Sequence, residues 1–186
     1  MTSFDEIRFL LFIAASAGIA ALSWRTMRNI RSHGFFRFFA WEAIVALLLW
    51  NLPYWFTAPF SARQSLSWLI LFGSLYLLWQ GAAQLLRAKR SGSRNESELY
   101  AFESTSELVN SGIYRYIRHP LYASLLYFTW GAFLKDISWV SFILGLAASA
   151  SLVAAAKADE KECIQYFGDP YRQYMKYTKR FIPFML

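Results

Sequence analysis

The segment from Ser111 to Tyr122, which reads SGIYRYIRHPLY, gathers residues capable of chemistry at the start of an apolar run. Pro120 suits the first position of a helix, where its missing N–H costs nothing. His119 is then disfavoured in helical geometry, which leaves its imidazole able to face a ligand. The positive end of the following helix would favour a carboxylate. The alternative is an interfacial belt of Tyr and Arg that anchors the helix.

A second cluster, KADEKECIQYFGDPYRQY, follows the last apolar run. Asp159 and Glu160 continue the predicted helix out of the membrane, where acidic groups cost free energy unless they are paired or meet a cationic ligand. The alternative is a solvated helix end that also carries Lys157 and Lys161. Gly168 predicts the end of this helix and the start of a short C-terminal one.

Other residues offer less chemistry. Glu42 lies within an apolar run, where it is either functional or paired with Arg37 or Arg25 at the membrane interface. The two histidines, His33 and His119, lack metal-ligand spacing, so we expect no metal. Neither a dinucleotide-binding glycine motif nor a phosphate-binding P-loop occurs in the chain.

Apolar helices must position these groups. Of the 186 residues, 56% are hydrophobic and 17% charged, which is typical of a membrane protein rather than a soluble globule. A spanning helix needs about 20 mostly apolar residues. We therefore predict an all-α integral membrane protein with about five transmembrane helices, the last two forming a hairpin around Lys135. The predicted spans are residues 4–23, 35–56, 66–86, 121–134 (the shortest) and 138–156.

The net charge of +7 is unevenly distributed. Lys and Arg concentrate in the loops after the first and third spans and in the tail, whereas the opposite segments hold only Arg8, Arg63 and Lys135. This asymmetry predicts an external N-terminus and a cytoplasmic C-terminus, and it explains the charge better than a nucleic-acid partner does.

We further predict two regions. Residues 1–86 form three N-terminal transmembrane helices, and residues 87–186 form the loop, hairpin and tail that hold the catalytic site. Residues 87–107 are polar and rich in Ser, Glu and Arg. They are either a linker or a loop that orders over a ligand.

The ordered set GIYRYIRHPLY, then DE, then FGDPYRQY and KRFIP resembles the isoprenylcysteine carboxyl methyltransferase family, and in part the related phospholipid N-methyltransferases. The resemblance covers the chain from Ser106 to Pro183. It implies a multi-pass membrane methyltransferase that binds S-adenosylmethionine at the cytoplasmic face and methylates a lipophilic acceptor taken from the bilayer.

The resemblance also implies roles for individual residues. His119, Tyr122 and Glu160 would be catalytic. Asp159 stands where the family has a cofactor-binding glutamate, and Ala155 stands where an arginine serves the substrate, so the acceptor is left open. The implied cofactor-binding residues are Ser106, Glu107, Leu108, Val109, Tyr114, His119, Pro120, Leu121, Tyr122 and Asp159.

Three alternatives remain for the function. The first is a phospholipid or small-molecule methyltransferase on the same scaffold. The second is a non-catalytic membrane accessory protein that keeps the fold. The third is a membrane reductase that uses a nicotinamide cofactor. Binding of S-adenosylhomocysteine, of a nicotinamide dinucleotide or of neither would distinguish them.

Overall fold

The computed structural model describes residues 3–89 and 108–182. Within these ranges the only pairing of extended backbone is an isolated bridge between Ile117 and Lys179. The predicted all-α membrane fold is therefore confirmed. The described ranges contain six α-helices: α1 (Ser3–Ser23), α2 (His33–Trp50), α3 (Ala62–Lys89), α4 (Pro120–Phe133), α5 (Trp139–Phe167) and α6 (Asp169–Tyr177).

Four of these helices, α1, α2, α3 and α5, are long and apolar enough to cross a membrane. The fourth predicted span corresponds to α4, which has only 14 residues. At 1.5 Å per residue it rises about 21 Å, less than the roughly 30 Å of a bilayer's hydrocarbon core. Helices α4 and α5 form the expected hairpin, and α6 is the expected short C-terminal helix.

The helix ends differ from the predicted spans where local chemistry overrides hydropathy. Helix α2 ends at Trp50 rather than residue 56, because the N–H of Asn51 already closes the last turn and Pro53 lies in a 3-10 turn. Helix α5 extends well beyond residue 156 through polar residues that still suit a helix. It ends where predicted, at Gly168, whose φ of 65° favours glycine.

Two helix pairs form the bundle. Helix α2 packs along α5, and α3 packs along α4, whereas α1 contacts mainly α2 and buries little of its own surface. Small side chains allow the close approach of α2 and α5, as is common between membrane helices. Ala40, Ala155 and Ala156 are fully buried there, beside Leu152 and Tyr122.

The bundle has two ends. At one, which we call the His119 end, α2 and α4 begin and α3 and α5 end. At the opposite Lys135 end, a buried polar cluster joins four helices. Ser141 donates to Asn51 (2.8 Å), and the fully buried Lys135 donates to Gln64 (3.0 Å). The Lys135 ammonium also lies 3.6 Å from the ring centre of Trp68. We call Asn51, Gln64, Lys135 and Ser141 the Lys135 cluster.

The acidic residue within α2 contacts α1. The Ser16 hydroxyl donates to Glu42 Oε2 at 2.6 Å, while Glu42 Oε1 is buried with no hydrogen-bond partner among the described residues. Arg8 of α1 donates to the carbonyls of Leu49 and Trp50 at the end of α2. These contacts tie α1 to α2 and lie apart from the His119 end.

Candidate functional site

The segment that contains His119 is fastened to the C-terminal tail. Arg118 N–H donates to the Lys179 carbonyl (2.7 Å), and His119 N–H donates to the Arg180 carbonyl (3.2 Å). Lys179 N–H donates in return to the carbonyl of Tyr116 (3.1 Å). The two motifs recognised in the sequence thus form one backbone unit, although about sixty residues separate them.

Pro120 begins α4, as its sequence position predicts, and His119 is the non-helical cap (φ −124°, ψ 63°). Helix α3 approaches closely here, because a Cβ on Gly81 would lie 3.0 Å from Leu121 and 3.1 Å from Pro120. The His119 ring is buried and stacks on Tyr122 with 5.6 Å between ring centres. The imidazole thus lies between Tyr122 of α4 and Asp159 of α5.

Asp159 of α5 meets this imidazole. Its Oδ2 lies 3.3 Å from His119 Nδ1, and its side chain keeps 26% of its surface exposed. The Cys163 thiol, one turn further along α5, also approaches Asp159 at 3.5 Å. Asp159 is therefore a carboxylate that is oriented by the protein and still accessible.

Glu160, the next residue, is enclosed by arginines. Arg118 Nε and Arg180 Nε each donate to Oε1 at 3.0 Å, and Arg180 Nη2 donates to Oε2 at 2.6 Å. The Glu160 side chain is only 6% exposed. Arg118 also donates to the Thr178 carbonyl, which ties the pair to the tail. A buried carboxylate with two guanidinium partners is held firmly in position. The charged groups give up their hydration only in exchange for strong charge-assisted hydrogen bonds.

We call Arg118, His119, Asp159, Glu160 and Arg180 the His119 cluster. Burial alone would lower the pKa of His119, but the neighbouring carboxylates of Asp159 and Glu160 raise it. His119 Nε2 lies 3.4 Å from Glu160 Oε1 and, among the described residues, finds no partner of hydrogen-bond geometry. Nε2 is thus a buried nitrogen that faces the Glu160 carboxylate without a well-aligned hydrogen bond.

Several of the remaining predicted site residues fall within the described ranges. Tyr114 is buried, and its carbonyl accepts from the Tyr174 hydroxyl of α6 at 2.6 Å. Leu108 and Val109 are half-buried in the irregular stretch that leads into the motif. Predicted residues outside the described ranges are Ser106 and Glu107. The site roles assigned from the sequence stay predictions.

Sequence reasoning missed the contribution of the N-terminal half. His33, the first residue of α2, and Glu162 of α5 contact each other although 129 residues separate them, so no local signal could reveal the pair. His33, Asp159 and Glu162 each offer one ligand atom within 4.8 Å of the others, a set that could hold a metal ion. The expectation of no metal stays a prediction.

Comparison with known proteins identifies the family of the chain independently of this geometry. A family model described as phospholipid methyltransferase matches residues 68–169, more than half of the 186-residue chain. The match includes all of α4 and α5, and hence Asp159 and Glu160. No curated relative and no solved structure matches the chain. The isoprenylcysteine subfamily therefore stays a prediction, while the wider resemblance is confirmed: the chain belongs to the phospholipid methyltransferase family, whose reaction is methyl transfer.

Proposed function

We propose that the protein is a membrane methyltransferase that binds S-adenosylmethionine at the His119 end and methylates a lipophilic acceptor. The observation that carries this proposal is the pairing of an oriented but accessible carboxylate, Asp159, with the buried, unbonded Nε2 of His119. The amino acid part of S-adenosylmethionine carries both an ammonium group and a carboxylate, which suits such a pair. Asp159 can accept from the ammonium group, and His119 can donate to the carboxylate.

The residues present fit this cofactor. Asp159 would hold the ammonium group, and His119 would lie beside it, with Tyr122 stacked behind the imidazole. Tyr114, Pro120, Leu121, Leu108 and Val109 would provide further walls, as would Ser106 and Glu107 outside the described ranges. S-adenosylmethionine, when bound, supplies an electrophilic methyl group on a sulfonium sulfur.

The chain's contribution to such a reaction is positioning and exclusion of water. An in-line displacement gains most from reactants held in the right geometry. Arg118 and Arg180 hold Glu160, and Glu160 lies within 3.4 Å of the His119 ring. These ionic contacts would therefore help to position His119 beside the cofactor. Both Glu160 oxygens already accept from guanidinium groups, which supports a holding role rather than proton exchange.

The acceptor class that this proposal favours is a phospholipid headgroup. The description of the matching family names this acceptor class. In addition, Ala155, where the isoprenylcysteine enzymes have an arginine for the substrate, is fully buried in the core beside Tyr122 and Leu152. A longer cationic side chain there would overfill this packing. A prenylcysteine carboxylate would thus lack its expected partner.

Labelled methyl transfer tests the proposal. The full chain in membranes is given S-adenosylmethionine with a labelled methyl group, and the labelled product is identified. We expect label in a phospholipid headgroup. Label in a prenylcysteine ester would overturn the acceptor class, and no transfer together with no binding of S-adenosylhomocysteine by calorimetry would overturn the activity. Binding of a nicotinamide dinucleotide would favour a reductase instead.

A further inference from the structure

One carboxylate fastens the start of α2 to the end of α5. Glu162 Oε1 accepts from the backbone N–H of His33 at 2.8 Å, and Oε2 lies 2.5 Å from His33 Nδ1. The His33 side chain is 2% exposed. The first N–H groups of a helix lack partners within it, and the helix dipole favours negative charge there. Glu162 therefore satisfies a backbone donor and a ring donor together.

His33 is presented from a firmly held backbone. The Ser32 hydroxyl caps α2 by accepting from Phe35 N–H at 3.2 Å, and it lies 2.9 Å from the Asn29 carbonyl. The linker before α2 is folded tightly over the helix, because a Cβ on Gly34 would lie only 2.6 Å from the Thr26 side chain. The backbone on either side of His33 is thus held by contacts within its own segment.

The contact lies beside the accessible carboxylate of the site. Glu162 follows Asp159 by three residues on α5, a spacing that places both on one side of the helix. Ligand-type atoms of His33, Asp159 and Glu162 all lie within 4.8 Å of one another. His119 Nδ1 reaches Asp159 at 3.3 Å. A histidine from each half of the chain therefore approaches Asp159.

We infer that His33 is a positioning residue for the cofactor site: by holding Glu162 it fixes the turn of α5 that carries Asp159. Helix α5 extends past its apolar part at this point, and Lys157 and Lys161 are exposed to solvent. A helix turn that is exposed on one side is held by the contacts of its other side, here Glu160 with its two arginines and Glu162 with His33. Cofactor affinity then depends on the N-terminal helices, and the inference rests on the proposed function.

Calorimetric titration of the purified full chain with S-adenosylhomocysteine tests this inference. His33→Ala should raise the Kd about tenfold, the effect expected when a charge-assisted hydrogen bond that orders the site is lost. His33→Asn should restore most of the affinity, because its amide nitrogen can donate from nearly the place of Nδ1. Glu162→Gln, which keeps the shape but loses one acceptor, provides a second variant if His33→Ala fails to fold.

Ser141→Ala is the matched control. It removes another hydrogen bond between α2 and α5, the one to Asn51 at the Lys135 end. Both His33→Ala and Ser141→Ala should lower the Tm, but only His33→Ala should raise the Kd and the KM for S-adenosylmethionine while kcat changes little. Equal Kd values in the two variants would overturn the inference and leave a purely structural role for His33.

Two further outcomes separate the inference from the proposed function. If the wild type binds S-adenosylhomocysteine and Asp159→Asn does not, an unchanged Kd in His33→Ala overturns only the role of His33. If the wild type does not bind, both proposals fail. Wild-type binding that a chelator abolishes and a divalent cation restores would also overturn the inference, since His33, Asp159 and Glu162 would then hold a metal.

Discussion

Both ends of the helical bundle bury polar side chains, but the two clusters differ in charge and in closure. The Lys135 cluster has a single charged group, and burial lowers the pKa of Lys135. Its ammonium is enclosed by the Gln64 oxygen and the Trp68 ring with no exposed surface. The His119 cluster contains opposite charges, and its Asp159 side chain is 26% exposed.

This difference indicates that the Lys135 cluster joins helices, whereas the His119 cluster can also bind a ligand. In the Lys135 cluster the four polar side chains bond to one another or to nearby carbonyls, so little bonding capacity remains for a ligand. In the His119 cluster both oxygens of Glu160 accept from arginines, whereas the Asp159 side chain keeps exposed surface and the buried His119 Nε2 has no hydrogen-bond partner among the described residues. A carboxylate held by arginines beside an accessible carboxylate can keep a charged ligand in a fixed place.

The largest expected effect on ligand affinity follows removal of the negative charge of Asp159. Asp159→Asn should weaken binding of S-adenosylhomocysteine by about 100-fold, because a desolvated ammonium then loses its charged partner. Calorimetry on the purified protein measures this. Asp169→Asn is the control, since that carboxylate pairs with Arg172 on the exposed surface of α6 and should leave the Kd unchanged. Equal affinity in Asp159→Asn and wild type would place the cofactor elsewhere.

Removal of the negative charge of Glu160 should mainly lower the free energy of unfolding. Glu160→Gln leaves Arg118 and Arg180 without a full counter-charge in a buried setting, at a cost of about 3 kcal/mol in the free energy of unfolding. Denaturant unfolding in detergent micelles measures it. The exposed Asp169→Asn again serves as control. Unchanged stability of Glu160→Gln would mean that solvent reaches this pair more freely than its 6% exposure indicates.

At the opposite end, a change should affect stability without touching the site. Gln64→Leu leaves the Lys135 ammonium without its oxygen partner and should cost about 2 kcal/mol, the range for hydrogen bonds to charged groups. Lys135→Met removes the buried charge itself and should cost less. Thermal unfolding compares the two variants, and the Kd for S-adenosylhomocysteine should equal the wild-type value in both. A weakened Kd would contradict the separation between the two ends.

The fold was largely predictable because hydropathy and helix breakers are local signals. Gly168 and Pro120 marked helix boundaries correctly, since a positive φ and a missing N–H act on their own residue. The prediction also gave the span that corresponds to α4 as the shortest. The end of α2 at Trp50 was not predicted, because it depends on the Asn51 cap, which hydropathy does not register.

The site was predictable only in part. The adjacency of His119 and Asp159 follows from the hairpin, because α4 begins where α5 ends. By contrast, the contact of His33 with Glu162 depends on how α2 packs against α5 over a separation of 129 residues. The second partner of Glu160, Arg180, likewise depends on the fold of the tail. Tertiary contacts of this kind leave no periodicity or spacing in the sequence.

The smallest effect that still distinguishes the two ends is a pH dependence. The pKa of His119 is raised above 6.5 by Asp159 and Glu160, so the folded state holds a proton that the unfolded state releases. Its contribution to stability is complete below pH 6.5 and is lost as the pH rises through the raised pKa. The slope should approach about 1.4 kcal/mol per pH unit at most.

Unfolding of wild type and of His119→Gln from pH 6 to 9 measures this difference, because His33, Arg118 and Arg180 are present in both proteins and cancel. Wild type should lose stability relative to the variant as the pH rises. Gln64→Leu should follow the wild-type pH profile at a lower level, since the Lys135 cluster is remote from His119. A wild-type advantage that grows with pH would mean that His119 is neutral in the folded protein, and the ionic description of the His119 cluster would have to be abandoned.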